Sequence, residues 1–499
     1  MSGDEGEALG RDTLKLQVAR TIKWNVVDKV GSQILYAVTG IILAKELSQY
    51  DFGLVGAILV FQAFASLFVD SGFSFALLQR KNPTKEDYST VLWFNLLIAI
   101  CIYVVLFFIA PLIADLYEGS RELIPLSRVM FLTFIVNATS IVQTNILMKK
   151  MVVKMVAVSN SCGLFAGSVI GIWMALSGYG AWAIVAQNLT LASVRSAILW
   201  ATGGWLPDIT FSWRILKSYM RVGLGVAASS FLNTVFQNIY SLIIGAARGL
   251  VSLGYYTQAD KWSKMGISSL SQVLTSSFLP LLSKYQDEPV EFSVVTAKTN
   301  RFTTYLLLPA TGMLVMVATP LFHALFGTKW DGSIVLFQLL LLRGIFTVYS
   351  TLYNNYVIAL GKAKLMIYTE ILRDVTALAA ILLTLPMIGE SRGGDDLWGV
   401  RLFVWGQVAA SAVTWVTTLI VAARLARRGW LRYITDTLPY LAVTVAAMGA
   451  MWAVAGVSDS AWITCGLELL AGGAVYFGLN AILGSKMQSD AIAFLLKRH

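Results

Sequence analysis

The stretch Ser48–Arg80, SQYDFGLVGAILVFQAFASLFVDSGFSFALLQR, decides the fold class. A polar turn at Tyr50 and Asp51 precedes a mostly apolar run from Phe52 to Val69. Asp70 and Gly72 follow, then a second apolar patch, Phe73–Leu78, and a basic pair, Arg80 and Lys81. A helix needs about 17 to 25 residues to span bilayer hydrocarbon. The stretch therefore reads as one membrane crossing, entered from a weakly charged side and left on a basic one. The rest of the chain repeats this pattern.

Of 499 residues, 57% are hydrophobic and 13% charged, whereas soluble domains carry roughly 25% charged residues. A soluble protein this apolar would own a core too large for its polar surface to cover. The mean hydropathy of +0.69 agrees. The apolar runs are long and continuous, so helices are expected and not the short alternating strands of a barrel. The net charge of +10 is spread in small clusters between apolar runs, as the positive-inside rule requires, and no nucleic-acid partner is expected. Cys101, Cys162 and Cys465 are scattered in apolar runs and suggest neither a disulfide framework nor a metal site. The charged first ~20 residues lack the apolar segment of a cleaved signal peptide. The first crossing is expected to act as its own insertion signal.

The expectation is an all-α polytopic membrane protein of about fourteen transmembrane helices. They cover 24–44, 53–78, 88–111, 126–147, 155–176, 181–201, 219–246, 264–282, 302–326, 334–360, 364–388, 398–422, 437–456 and 461–483. With the N-terminus inside, the inside segments hold 25 of the 38 Lys and Arg and the outside segments eight. That bias places both termini in the cytoplasm. Segment 247–263 reads as an outside loop that carries Arg248 and Lys261.

Five basic residues fall inside apolar spans: Lys29, Arg128, Arg195, Arg343 and Arg373. So do the acids Asp28, Asp70, Glu370, Asp374 and Glu468. Each charge in hydrocarbon costs roughly 2.5–3.5 kcal/mol on insertion scales, so each needs a reason. Local pairing or snorkelling accounts for some of them, but Arg343 is too deep for an easy exit. Amides cluster as well, with Asn233 and Gln237 in the seventh span and Asn354 in the tenth. They suit either sugar recognition or helix–helix packing.

A faint internal repeat is present. Tyr50-Asp51-Phe52-Gly53-Leu54 aligns with Val251-Ser252-Leu253-Gly254-Tyr255 at an offset of about 201 residues. It carries the first span onto the seventh in the same sense, which makes the two halves parallel repeats about an axis along the membrane normal. The organisation that follows is a tail (1–22), an N-lobe of six helices (23–201) and a cytoplasmic linker (202–218). A C-lobe of six helices (219–422), two extra helices (437–483) and a second tail (484–499) complete it.

YDFGLVGAILVF (50–61), DSGFSFALLQRK (70–81), LGYYTQADKW (253–262), LPLLSKYQDE (279–288), FGTKWDGSIVLFQLLLLRGI (326–345) and NNYVIALGKAK (354–364) carry a resemblance over nearly the whole chain. The chain resembles the polysaccharide-transporter branch of the multidrug/oligosaccharidyl-lipid/polysaccharide exporter superfamily. It is most similar to O-antigen or colanic-acid type flippases. The resemblance implies two six-helix lobes in a V arrangement plus two C-terminal helices. It also implies translocation of undecaprenyl-pyrophosphate-linked oligosaccharide units across the bacterial inner membrane, coupled to a proton or sodium gradient. No cofactor and no enzymatic step are expected, and no Walker A loop is present. Expected partners are the lipid-linked oligosaccharide, membrane lipids, and the polymerase and glycosyltransferases of the same pathway. A peptidoglycan-precursor flippase and an ion-coupled multidrug exporter are the alternatives. The latter should show acids dominating its cavity.

Arginine suits phosphate through its planar fork. Arg343, with Arg373 or Lys29, is expected to attract the pyrophosphate, and Arg128 to be the N-lobe partner. Asn354, Asn233 and Gln237 are candidates for the glycan. Asp70, Glu370 and Asp374 are candidates for neutralising the basic groups or carrying a coupling proton. Asp70, near the inner end of its helix, is also a candidate partner of Lys29.

Overall fold

The computed structural model describes residues 24, 29–70, 73–362 and 364–490, and it is nearly all helix. Helix α1 covers 29–46, and α2 (Gln49–Asp70) and α3 (Phe73–Gln79) flank residues 71–72. Then come α4 (Lys85–Leu116), α5 (Leu123–Lys149), α6 (Val153–Leu176), α7 (Trp182–Gly203) and α8 (Trp213–Lys284). The remainder is α9 (Pro289–Met316), α10 (Ala318–Phe326), α11 (Asp331–Ala359), α12 (Lys364–Thr384), α13 (Trp398–Leu425), α14 (Trp430–Val454) and α15 (Ala461–Ile482). Each of the fourteen stretches read as a crossing carries helix. Among the described residues, nine helices are long and apolar enough to cross a membrane. The number is ten if α9 and α10, bent by 62° against each other, are counted as one span.

The loop expected over 247–263 is helix instead. A straight helix of 72 residues would run about 108 Å, over three times the ~30 Å hydrocarbon thickness. Gly249, at φ 76° and ψ 177°, interrupts α8. A residue with a Cβ rarely adopts this backbone. The break lets the chain continue in helix on both sides, so Asp260, Lys261 and Lys264 sit on a helix face and not in a loop.

Two compact units result, divided between Gly254 and Tyr255. In the first, polar signals at the helix starts explain where chain direction changes. Ser48 and Asp51 cap α2 reciprocally. The Ser48 amide donates to Asp51 Oδ2 at 2.9 Å, and the Asp51 amide donates to Ser48 Oγ at 3.2 Å. The other Asp51 oxygen accepts from the Ala181 amide at 2.9 Å and so fixes the start of α7. Thr84 and Asp87 form a second capping box at α4, and the buried Asp87 also pairs with Arg80 at 2.9 Å. Segment 204–212 is tied to α4 and α5. Gln143 donates to the Trp205 carbonyl (2.9 Å), Trp93 to the Asp208 carbonyl (2.9 Å), and Lys85 pairs with Asp208 (2.6 Å). Leu216 and Tyr219 of α8 continue into the same apolar cluster as Leu77, Val91 and Ile146.

The repeat appears as a contact in this unit. A Cβ at Gly53 would lie 1.9 Å from the Leu250 carbonyl oxygen, and one at Gly254 would lie 1.9 Å from the Gln49 carbonyl oxygen. Under an offset of 201, Gly53 maps to Gly254 and Gln49 to Leu250. The contact therefore maps onto itself, as an isologous two-fold contact does. The two repeat motifs meet backbone to backbone, and glycine is the residue that permits it.

In the second unit, α11 is the central element, packed on α9, α12 and α13. Tyr349, Tyr353 and Tyr356, at i, i+4 and i+7, present phenols toward α9. Tyr349 pairs with Thr304 (2.8 Å), Tyr353 donates to Asn300 (3.0 Å), and Tyr356 pairs with Thr299 (2.8 Å). Tyr433 of α14 donates to Thr296 at 2.9 Å. Every one of these buried hydroxyls is satisfied, so the ladder fixes the rotation of α11. That rotation decides which α11 residues face α12 and α13.

Candidate functional site

Arg343, Thr347, Ser350, Thr351 and Asn354 occur at i, i+4, i+7, i+8 and i+11 of α11 and share one face. The stripe spans about 16 Å along the helix. Two charged groupings of opposite net sign lie along it, one formed with α8 and one on α12.

The first grouping lies at Arg343. Its Nη2 is 3.7 Å from Asp260 Oδ1, and both side chains are less than a fifth exposed. Asp260 also pairs with Lys264, one turn on, at 2.5 Å. Two cations thus share one carboxylate, leaving a net charge of +1. Arg343 Nε and Asp260 Oδ1 each lack a hydrogen-bond partner, since at 3.7 Å the two groups attract without hydrogen-bonding. The grouping is incompletely satisfied and can accept an anion.

The second grouping lies on α12. Arg373 Nη1 is 2.6 Å from Glu370 Oε2, and its Nη2 is 2.9 Å from Asp374 Oδ1. Its Nε also donates to Asp374, at 3.1 Å. Adjacent residues on a helix diverge, yet the long arginine side chain folds back to reach Asp374. One cation faces two carboxylates, and the net charge is −1. Glu370 and Arg373 line a polar cavity of about 120 Å³ with Thr347, Ser350 and Asn354 of α11 and Thr414 of α13.

The other candidates belong to the first compact unit. Arg128 stacks on Phe107, its guanidinium carbon 4.0 Å from the ring centroid, and donates to the Phe107 carbonyl at 3.3 Å. That contact accounts for a guanidinium on an apolar helix. Asn233 and Gln237 are exposed on α8 and hydrogen-bond each other at 3.2 Å. Lys29 is exposed on α1. The side chain of Asp70 lies outside the described residues, as do the tail 1–22 and residues 491–499. Thus Asn354, Glu370 and Arg373 come together at one cavity, with Asp374 behind Arg373. Arg343 stands further along the same α11 face. Asp260 was missed as a site residue because 247–263 read as an outside loop, and Lys264 because it stood at the first position of the next span. Their i, i+4 acid–base spacing is the helical signal that points to them.

Nine described helices long and apolar enough to cross a membrane define a polytopic membrane protein, and its relatives are transporters. It has the fold of the lipid II flippase MurJ in its inward closed conformation. The TM-score is 0.72 at 13% identity, covering 93% of this chain and 98% of that one. A family model described as polysaccharide biosynthesis protein matches residues 42–335, and the chain belongs to that family. Among curated relatives, the succinoglycan biosynthesis transport protein ExoT of Rhizobium meliloti is 26% identical over 425 residues, covering 85% of this chain and 82% of that protein. The teichuronic acid biosynthesis protein TuaB of Bacillus subtilis is 24% identical, covering 83% and 82%.

Proposed function

We propose that this protein is a flippase for polyprenyl-pyrophosphate-linked oligosaccharide units in the biosynthesis of an exported or cell-surface polysaccharide. The protein lies in the bacterial inner membrane with both termini cytoplasmic. It acts without chemical conversion of its cargo, by alternating exposure of its site to the two faces. A proton or sodium gradient drives it, and glycosyltransferases and a polymerase act before and after it. The reading is supported by the family, by relatives named for polysaccharide transport and biosynthesis, and by the inside bias of basic loops.

The observation that carries it is the net-positive grouping of Arg343, Asp260 and Lys264 within a membrane-embedded helical unit. A pyrophosphate anion must leave water and needs a cation that is already desolvated and held. Asp260 holds Arg343 in the empty state and releases it when phosphate oxygens take over. The planar guanidinium supplies parallel donors that an ammonium cannot. Asp374 and Glu370 hold Arg373 more tightly, by hydrogen bonds at 2.6–3.1 Å, and with the charge balance reversed.

The test is reconstitution into liposomes carrying undecaprenyl-pyrophosphate oligosaccharide. The fraction of glycan protected from an added glycosidase is followed over time. Exchange above protein-free liposomes, reduced in Arg343→Gln, is the expected result. Wild-type protein that gives no exchange under an imposed ion gradient would overturn the proposal.

A further inference from the structure

The cavity between α11, α12 and α13 has a hydrogen-bonding character distinct from that of a phosphate site. The hydroxyls around it spend their hydrogens on their own helices. Thr347 donates to the Arg343 carbonyl (3.1 Å), Thr351 to Thr347 (3.0 Å), Ser411 to Gln407 (3.0 Å) and Thr414 to Ala410 (2.9 Å). Their lone pairs are left over. Ser350 Oγ and Asn354 Oδ1 are buried and have no hydrogen-bond partner. Glu370 contributes a carboxylate, 42% exposed. Arg373, the cation of the cavity, has both terminal nitrogens and Nε engaged by Glu370 and Asp374. Acceptors therefore outnumber free donors, and the local net charge is −1.

A cavity of about 120 Å³ far exceeds the roughly 10–15 Å³ that admits one water. Buried acceptors without partners are costly until a donor arrives. A ligand that fits must bring several O–H or N–H groups and no negative charge. A bare multivalent cation would need its acids free. Both carboxylates are bound to Arg373, and among the described residues no group of three or more acidic, His or Cys side chains is placed to hold a metal ion.

We propose that this cavity is a glycan subsite that takes an uncharged sugar ring, a hexose or an N-acetylhexosamine, by its hydroxyl and amide donors and rejects uronates. The inference rests on the flippase reading and adds a specificity to it. The lipid-linked cargo is divided by charge: the pyrophosphate goes to the Arg343 grouping and a neutral sugar goes to the α11–α13 cavity. Acidic sugars are turned away by Glu370 and by the unpartnered Asn354 amide oxygen, since a carboxylate there would add an acceptor and a like charge, while Ser350, donor and acceptor at once, serves either.

Saturation-transfer NMR on the full-length protein in nanodiscs tests the proposal with methyl glucoside, N-acetylglucosamine and glucuronate as probes. The two neutral sugars should show transfer, with glucuronate about tenfold weaker or absent. Ser350→Ala and Asn354→Leu should each weaken the neutral sugars by about tenfold. If Asn354→Leu does not fold, Ser350→Ala and Thr414→Val carry the test. Glucuronate binding as well as glucose, or neutral-sugar signals untouched by these variants, would overturn the proposal. So would a sodium-dependent thermal shift requiring Glu370 with no sugar signal, because the cavity would then be a cation site. Liposomes of wild-type protein that exchange lipid-linked oligosaccharide while the sugars fail to bind would sink the subsite and leave the flippase reading standing.

Discussion

Arg343 and Arg373 look alike in the sequence: each is an arginine inside an apolar run. Their surroundings differ in sign. Arg343 shares one carboxylate with Lys264, whereas Arg373 has two carboxylates to itself. The first arrangement leaves positive charge for a ligand, and the second leaves negative charge. The lesson is that a cation in an apolar run shows its role through its counter-charges, not through its own presence.

The largest effect should come from Arg343→Gln. Losing a charge-assisted contact of about 1.5–3 kcal/mol should slow lipid-linked oligosaccharide exchange in liposomes roughly 10–100-fold. Arg343→Lys should fall between the two, since it keeps the charge and loses the fork. If Arg343→Gln exchanges at the wild-type rate, the contrast between the two arginines fails.

Asp260→Asn sharpens the contrast from the other side. It leaves two cations without their carboxylate, so melting should shift downward by the equivalent of about 1–3 kcal/mol. Inorganic pyrophosphate should then protect the variant against heat more than it protects wild type, because the anion replaces the missing acid. Equal protection of both proteins would mean that Asp260 does not compete with the ligand.

Arg373→Gln should be the mildest. Arg373 and Glu370 are 34% and 42% exposed but Asp374 only 18%, so solvent screens one of the two acids left behind and the stability cost should be about 1–2 kcal/mol. Exchange should remain within about threefold of wild type, which is ~0.7 kcal/mol on the barrier. A loss equal to that of Arg343→Gln would show that the two groupings act as one.

Much of this was legible before the fold was known. Apolar runs located the helices, because a bilayer sets their length and allows no unpaired backbone. The same reasoning singled out Arg343, Arg373, Glu370 and Asp374. It could not supply the partners. Asp260 sat in a stretch whose glycine and charges read as loop, because one positive φ at Gly249 lets helix resume where composition suggests an interruption. Arg128 is a candidate substrate contact from its place in an apolar run, and the structure adds a partner, Phe107, 21 residues away on another helix. Nothing in the spacing announces that pairing. Asn233 and Gln237, by contrast, sit at i, i+4, and their mutual bond follows from helical geometry alone. The match between the two glycine motifs, at an offset of 201, is visible in the sequence. That its two glycines touch each other's helices backbone to backbone required the packing.

The account turns on which arginine meets the pyrophosphate. Native mass spectrometry of wild-type protein, Arg343→Gln and Arg373→Gln, each titrated with undecaprenyl pyrophosphate, tests this most directly. The account predicts that Arg343→Gln binds at least about tenfold more weakly, a loss of ~1.4 kcal/mol. Arg373→Gln should bind within about threefold of wild type, ~0.7 kcal/mol. Equal weakening in both variants, or weakening confined to Arg373→Gln, would contradict it.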